Sequence, residues 1–128
     1  MKKLFYIAVF GLVLVACSRI NPADKAAHAA KQYYDYLLKG KYESFVEGHY
    51  MPDSIPESYR SGLITNARMF IKQQQREHRG IKETRIVNAD ADTALHTANV
   101  FLVFTYGDST SEEVNVPMIE SKGIWYLR

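Results

Sequence analysis

The stretch TALHTANVFLVFTY, Thr93 to Tyr106, decides how this chain is read. Its side chains alternate with a period of two, the repeat of an extended strand whose successive residues face opposite ways. One face carries Ala94, His96, Ala98, Val100, Leu102, Phe104 and Tyr106; the other carries Leu95, Thr97, Asn99, Phe101, Val103 and Thr105. Gly107-Asp108-Ser109 has the residues of a turn, and Thr110 to Ile119 resumes the alternation with Val114, Val116 and Met118 on one face. Asp90-Ala91-Asp92 reads as the preceding turn, after a strand from Lys82 to Ala89. Glu120-Ser121-Lys122-Gly123 leads into a last strand, Ile124 to Leu127. Four strands joined by hairpin turns make an antiparallel sheet. A strand as long as Thr93 to Tyr106 is unusual in a flat sheet, so strong bending is expected.

Upstream of Gly80 the period is helical. Asn21 is placed to cap a helix whose first residue is Pro22, and Ala23, Ala27, Ala30, Tyr34, Leu37 and Leu38 follow at helical spacing until Gly40. The alanines predict a close approach to whatever lies beneath. Tyr42 to Tyr50 reads as a short second helix with Tyr42, Phe45, Val46 and Tyr50 on one side. Ser54-Ile55-Pro56-Glu57 has the spacing of a capping box, opening a third helix with Tyr59, Leu63, Ala67, Phe70, Ile71 and Gln74 on one face. Its last turns carry Arg76, His78 and Arg79, cations suited to the negative end of the helix dipole. Three helices followed by four strands give an α+β fold, with the helices on one face of a strongly curved four-stranded antiparallel sheet.

The chain has 128 residues, 47% hydrophobic and 23% charged, which allows one globular domain and excludes disordered and collagen-like classes. A single cysteine excludes an internal disulfide framework and a cysteine-rich zinc site. His28, His49, His78 and His96 are scattered with no metal-ligand spacing, so neither a metal nor another cofactor is indicated.

The N-terminus reads as an address. Lys2 and Lys3 precede an uncharged run, Leu4 to Ala16, that would rise about 20 Å as a helix, short of a hydrocarbon core of about 30 Å. Leu14-Val15-Ala16-Cys17 resembles the lipobox of bacterial lipoproteins, in which the cysteine thiol receives a diacylglycerol and cleavage follows the small residue before it. That resemblance divides the chain into a signal peptide at 1–16, a lipidated Cys17 with a short tether at 17–21, and a domain at 22–128. It implies a lipid-anchored protein of the bacterial cell envelope. Ser18 after the cysteine is not the aspartate of inner-membrane retention, which favours the periplasmic face of the outer membrane. Loss of Lys2 and Lys3 from 16 basic residues leaves 14 against 14 acidic ones. With no net charge, nucleic acid loses its electrostatic support as a partner.

The order of elements resembles the nuclear transport factor 2-like superfamily, small cystatin-like cones, and in particular a lumazine-binding-like branch of uncharacterised lipoproteins. The residues that carry it are Leu37-Leu38-Lys39-Gly40-Lys41-Tyr42, the long central strand, and the ending Gly123-Ile124-Trp125-Tyr126-Leu127. The resemblance implies a cone with a pocket and dimers through the sheet. It assigns no activity, because this fold carries enzymes and binders alike.

His96 stands between Ala94 and Ala98 on the apolar face, where an imidazole would serve as a general base inside a cone. Tyr34, His49 and Tyr59 add polar groups to the helices and make up, with His96, the expected ligand-binding set; Tyr50 is a further handle. Leu95, Phe101 and Val103 would point away from the helices and offer a partner surface, suited to a homodimer. The reading is a non-catalytic binder of a small apolar or aromatic molecule or of a protein partner. Its rivals are an isomerase- or dehydratase-type enzyme using His96 and a purely structural interaction domain.

Overall fold

The computed structural model describes residues 21–128. The lipid-attachment reading of Cys17, and the signal and most of the tether with it, lies outside the described residues. Within them the order is α1 (Pro22–Leu38), α2 (Tyr42–Glu47), α3 (Glu57–His78), β1 (Ile81–Asp92), β2 (Thr97–Tyr106), β3 (Ser111–Ser121) and β4 (Ile124–Leu127). The fold is α+β, with a four-stranded antiparallel sheet in the order β1-β2-β3-β4.

α1 begins as its sequence predicts. The Asn21 side chain accepts from the backbone N–H of Asp24 at 2.9 Å, with Pro22 following at the first helical position. Ala26 and Ala30 are fully buried and Ala27 nearly so. Their small side chains bring the helix close to Val100 and Leu102 of β2, Met118 of β3, and Trp125 and Leu127 of β4, which complete the same core. α3 departs from its expected start. Pro56 precedes its first residue and no side chain caps it, so the Ser54–Glu57 box does not form. Such a box would place Ile55 in helical geometry, which the following proline ring disfavours.

The long strand expected from Thr93 is shorter at its start. β1 runs on through Asp90, Ala91 and Asp92, and the turn lies at 93–96, so β2 starts at Thr97. Ala91 faces Ala98 across the ladder, and the Asp92 carboxylate accepts from the Leu95 N–H at 3.2 Å to shape the turn. His96 closes it with φ 54°, in the left-handed region. Losing four residues removes the reason for a strongly bent strand. The sheet is not strongly curled or closed, and β1 and β4 stay unpaired to each other. Irregular register in β1, at Ile81/Glu83 and Ile86/Asn88, is confined to that edge strand. The opposite edge is partly covered. Tyr50 N–H donates to Leu127 O and Leu127 N–H to Gly48 O, both at 2.7 Å, so the segment after α2 extends the ladder beyond β4.

α3 is seated differently from α1. Only Ala67 of its 22 residues is buried. The helix is held at its ends. At the C-terminal end Asp108 N–H donates to His78 O at 3.0 Å and Gly107 N–H to Gly80 O at 2.9 Å. The His78 ring stacks on Tyr106 with centroids 4.3 Å apart and meets Asp108 Oδ2 at 3.2 Å. At the other end Arg60 pairs with Glu47, the last residue of α2. Between these clamps Arg68 lies over the Tyr42 ring of α2 at 5.4 Å and Ala67 is buried, yet space is left beside them against α1 and α2.

Candidate functional site: a cavity between the helices

The gap beneath α3 is a cavity of about 460 Å³, within the range of small-molecule sites. Leu37 of α1 and Phe45 and Val46 of α2 form one wall; Leu63, Ala67 and Phe70 of α3 form the other, with Met51 from the connecting segment. Three of the four residues expected to bind ligand meet here: Tyr34, His49 and Tyr59, together with Tyr50. Their convergence follows from local geometry. Tyr34 and Leu37 are one turn apart on α1, Phe45 and His49 are one turn apart at the end of α2, and Tyr59 and Leu63 are one turn apart on α3.

The polar groups are few and set by their neighbours. Tyr34 lies edge-on to Phe45 at 5.3 Å and tilted against Phe104 at 5.5 Å. Burial raises its pKa above the ordinary value of tyrosine, so the phenol stays protonated at neutral pH. Tyr34 lines the cavity, and its hydroxyl has no hydrogen-bond partner among the described residues. The His49 ring nitrogen Nδ1 lies 3.0 Å from Phe45 O. A carbonyl only accepts, so Nδ1 carries the proton of the neutral ring and Nε2 remains an acceptor. Phe45 meets the same ring edge-on at 5.0 Å and fixes its plane. Asn66 and Arg128 complete the lining, which contains no Asp or Glu among its described residues. The site therefore combines apolar walls with a phenol donor, an imidazole acceptor, an amide and a cation.

His96 is not part of it. The expectation that placed His96 inside is corrected by the four-residue shift of the turn. Its side chain is 63% exposed and its Nδ1 meets Glu120 Oε1 at 3.0 Å at the far end of β2. Of the expected partner surface, Phe101 and Val103 lie half-buried on the sheet face turned away from α1, opposite Asn88 and Arg85 of β1. Leu95 is 68% exposed in the turn and belongs to neither face. Among the described residues, no cluster of three or more His, Cys, Asp or Glu is arranged to hold a metal ion. None of the described helices is long and apolar enough to cross a membrane.

Asn66 and Arg128 were not anticipated. Tyr59, Leu63, Asn66 and Phe70 follow helical spacing, and the polar residue interrupting that row was the available signal for Asn66. Arg128 carries no such signal, because its place depends on where β4 ends.

Comparison with solved structures supports a nuclear transport factor 2-like fold. A Campylobacter jejuni protein, provisionally assigned as an NTF2-like transpeptidase, superposes with a TM-score of 0.61 at 13% identity, covering 77% of this chain and 92% of its own. A SEC-C motif-containing protein of Rhodopseudomonas palustris superposes with a TM-score of 0.54 at 15% identity, covering 89% of this chain and 81% of its own. At these identities the likeness is one of fold. No protein-family model matches the chain, and no functionally curated protein matches it.

Proposed function

We propose that this chain is a lipid-anchored envelope protein that binds a small apolar or aromatic molecule in the cavity between α1, α2 and α3, without catalysing its conversion. The observation that carries the binding reading is the cavity itself, with largely apolar walls and Tyr34 and His49 among its lining residues. The alternative of proton transfer by His96 lacks a supporting environment, since that imidazole sits in an exposed turn. The anchor and the periplasmic face of the outer membrane rest on the sequence around Cys17.

Native mass spectrometry of the full chain, released from non-ionic detergent, tests the binding reading. A retained adduct is expected, and it disappears in Ala67→Trp, which fills the cavity from α3. Asn66→Trp obstructs the same space from an exposed position and serves where Ala67→Trp folds poorly. An adduct unaffected by either substitution would refute the assignment. A homodimer is the second reading, resting on Phe101 and Val103 on the face turned away from α1. The same spectra test it, because Phe101→Asp combined with Val103→Asp should convert dimer to monomer.

A further inference from the structure

We infer that the cavity's ligand is an anionic amphiphile with one apolar tail, held with the tail in the cavity and the head group on α3 beside Lys72 and Arg76. This rests on the cavity being a binding site, and it names what kind of molecule would use it.

The cavity does not end at α3. Asn66 and Phe70, which line it, also line a second depression of about 430 Å³ along the exposed side of the helix. This groove continues past Met69 and Gln73 to Lys72 and Arg76. The chemistry changes along that path. Within the cavity the walls are mainly aliphatic and aromatic, with Arg128 the one cation among the described lining residues; beyond Phe70 the groove reaches two cations one helical turn apart. From Asn66 to Arg76 the helix rises about 15 Å. Met69, 60% exposed, keeps an apolar surface between the two ends.

These cations are available. Among the described residues Lys31 pairs with Asp35 and Arg60 with Glu47, whereas Lys72 and Arg76 have no acidic partner. The nearest acid in sequence, Glu77, accepts from Gln73 Nε2 at 3.1 Å. The wider charge distribution points the same way. Residues 57–82 hold six Lys or Arg against two Glu, a net charge of +4, while residues 83–128 hold three against seven, a net charge of −4. The overall charge balance conceals this separation, and an anion is drawn to α3 and the turn into β1 and repelled from the rest of the strands. A neutral aromatic would leave the cationic end of the groove unused, and a cationic head would meet Lys72, Arg76 and Arg128.

The test uses three dodecyl probes that share a tail and differ in the head: dodecanoate, dodecanamide and dodecylammonium. Retention by the full chain is measured by native mass spectrometry from non-ionic detergent. Dodecanoate should be retained about tenfold better than dodecanamide, the effect of two exposed ion contacts, and dodecylammonium least. Lys72→Gln combined with Arg76→Gln should bring dodecanoate down to the dodecanamide level without changing dodecanamide. Lys25→Gln combined with Lys122→Gln removes the same charge elsewhere and should preserve the preference. Asn66→Trp should reduce all three. Equal retention of the three heads, a preference that survives at Lys72 and Arg76, or one lost instead in Arg128→Gln would overturn the inference while the cavity reading stands. If no probe is retained by the folded parent, the inference falls, and the adduct experiment with Ala67→Trp decides the cavity reading by itself.

Discussion

Replacing Gly48 by alanine should destabilise the domain by about 2 kcal/mol, for a reason that lies entirely in its surroundings. Gly48 caps α2 with φ −71° and ψ −9°, right-handed geometry that any residue adopts. Stiffening of the unfolded chain would on its own make alanine favourable by about 0.5–1 kcal/mol. The obstacle is Tyr33 of α1, whose ring atoms Cδ1, Cε1 and Cγ would lie 2.5, 2.8 and 2.8 Å from the new Cβ. The ring cannot retreat freely, because its hydroxyl donates to Trp125 O at 2.7 Å. Overpacking of this kind costs about 1–3 kcal/mol, and loss of the tyrosine hydrogen bond adds about 1 kcal/mol. Moving the backbone instead would disturb the bond from Leu127 N–H to Gly48 O that extends the sheet. For a domain near 100 residues the net figure corresponds to a fall in Tm of roughly 8 °C. Urea unfolding followed through Trp125, the single tryptophan and a buried one, provides the measurement. The decisive comparison is a double-mutant cycle. In a Tyr33→Ala background the obstacle is gone, and Gly48→Ala should become neutral or mildly stabilising. An alanine as stable as the parent, or one equally costly in both backgrounds, would refute the steric account.

Further outcomes follow from other parts of the fold. The Asp108 carboxyl is held below its ordinary pKa, first by the Thr110 hydroxyl, then by the Thr110 N–H, with His78 adding to the effect. A depressed folded-state value contributes stability that is fully present above the unfolded carboxylate range, about pH 4, and is lost as pH falls through the lowered value; Asp108→Asn should remove that part of the acid sensitivity in urea titrations at stepped pH. Thr84 is buried and donates to Asp35 Oδ1 at 2.8 Å, joining β1 to α1, so Thr84→Val should cost about 1–1.5 kcal/mol in the same unfolding assay and Thr84→Ser less. His96 holds a left-handed turn position outside the cavity, so His96→Gly should keep stability within about 1 kcal/mol and leave probe retention unchanged; a loss of retention would return His96 to the site.

The class of fold was legible because the hydrophobic period changes from helical to alternating at Gly80, and the period follows directly from backbone geometry. Bounds were less legible where two local signals compete. Asp90-Ala91-Asp92 has turn residues, yet it also continues the alternation of β1, placing Ala91 against Ala98. Pairing between strands settled that competition. The consequence reached the site, because His96 passed from an inward strand position to an exposed turn.

The order of three helices and four strands, the close seating of α1 through its alanines, and the presence of Tyr34, His49 and Tyr59 on their elements are all read from spacing in the sequence. Each depends on spacing along one element. That α3 is fastened at His78, Arg60 and Arg68 with a space left beside it, and that Asn66 and Phe70 join the cavity to a cationic groove, depends on how separate elements pack. A cavity is a property of how separate elements fail to fill the space between them, and no periodicity within one element encodes that distance.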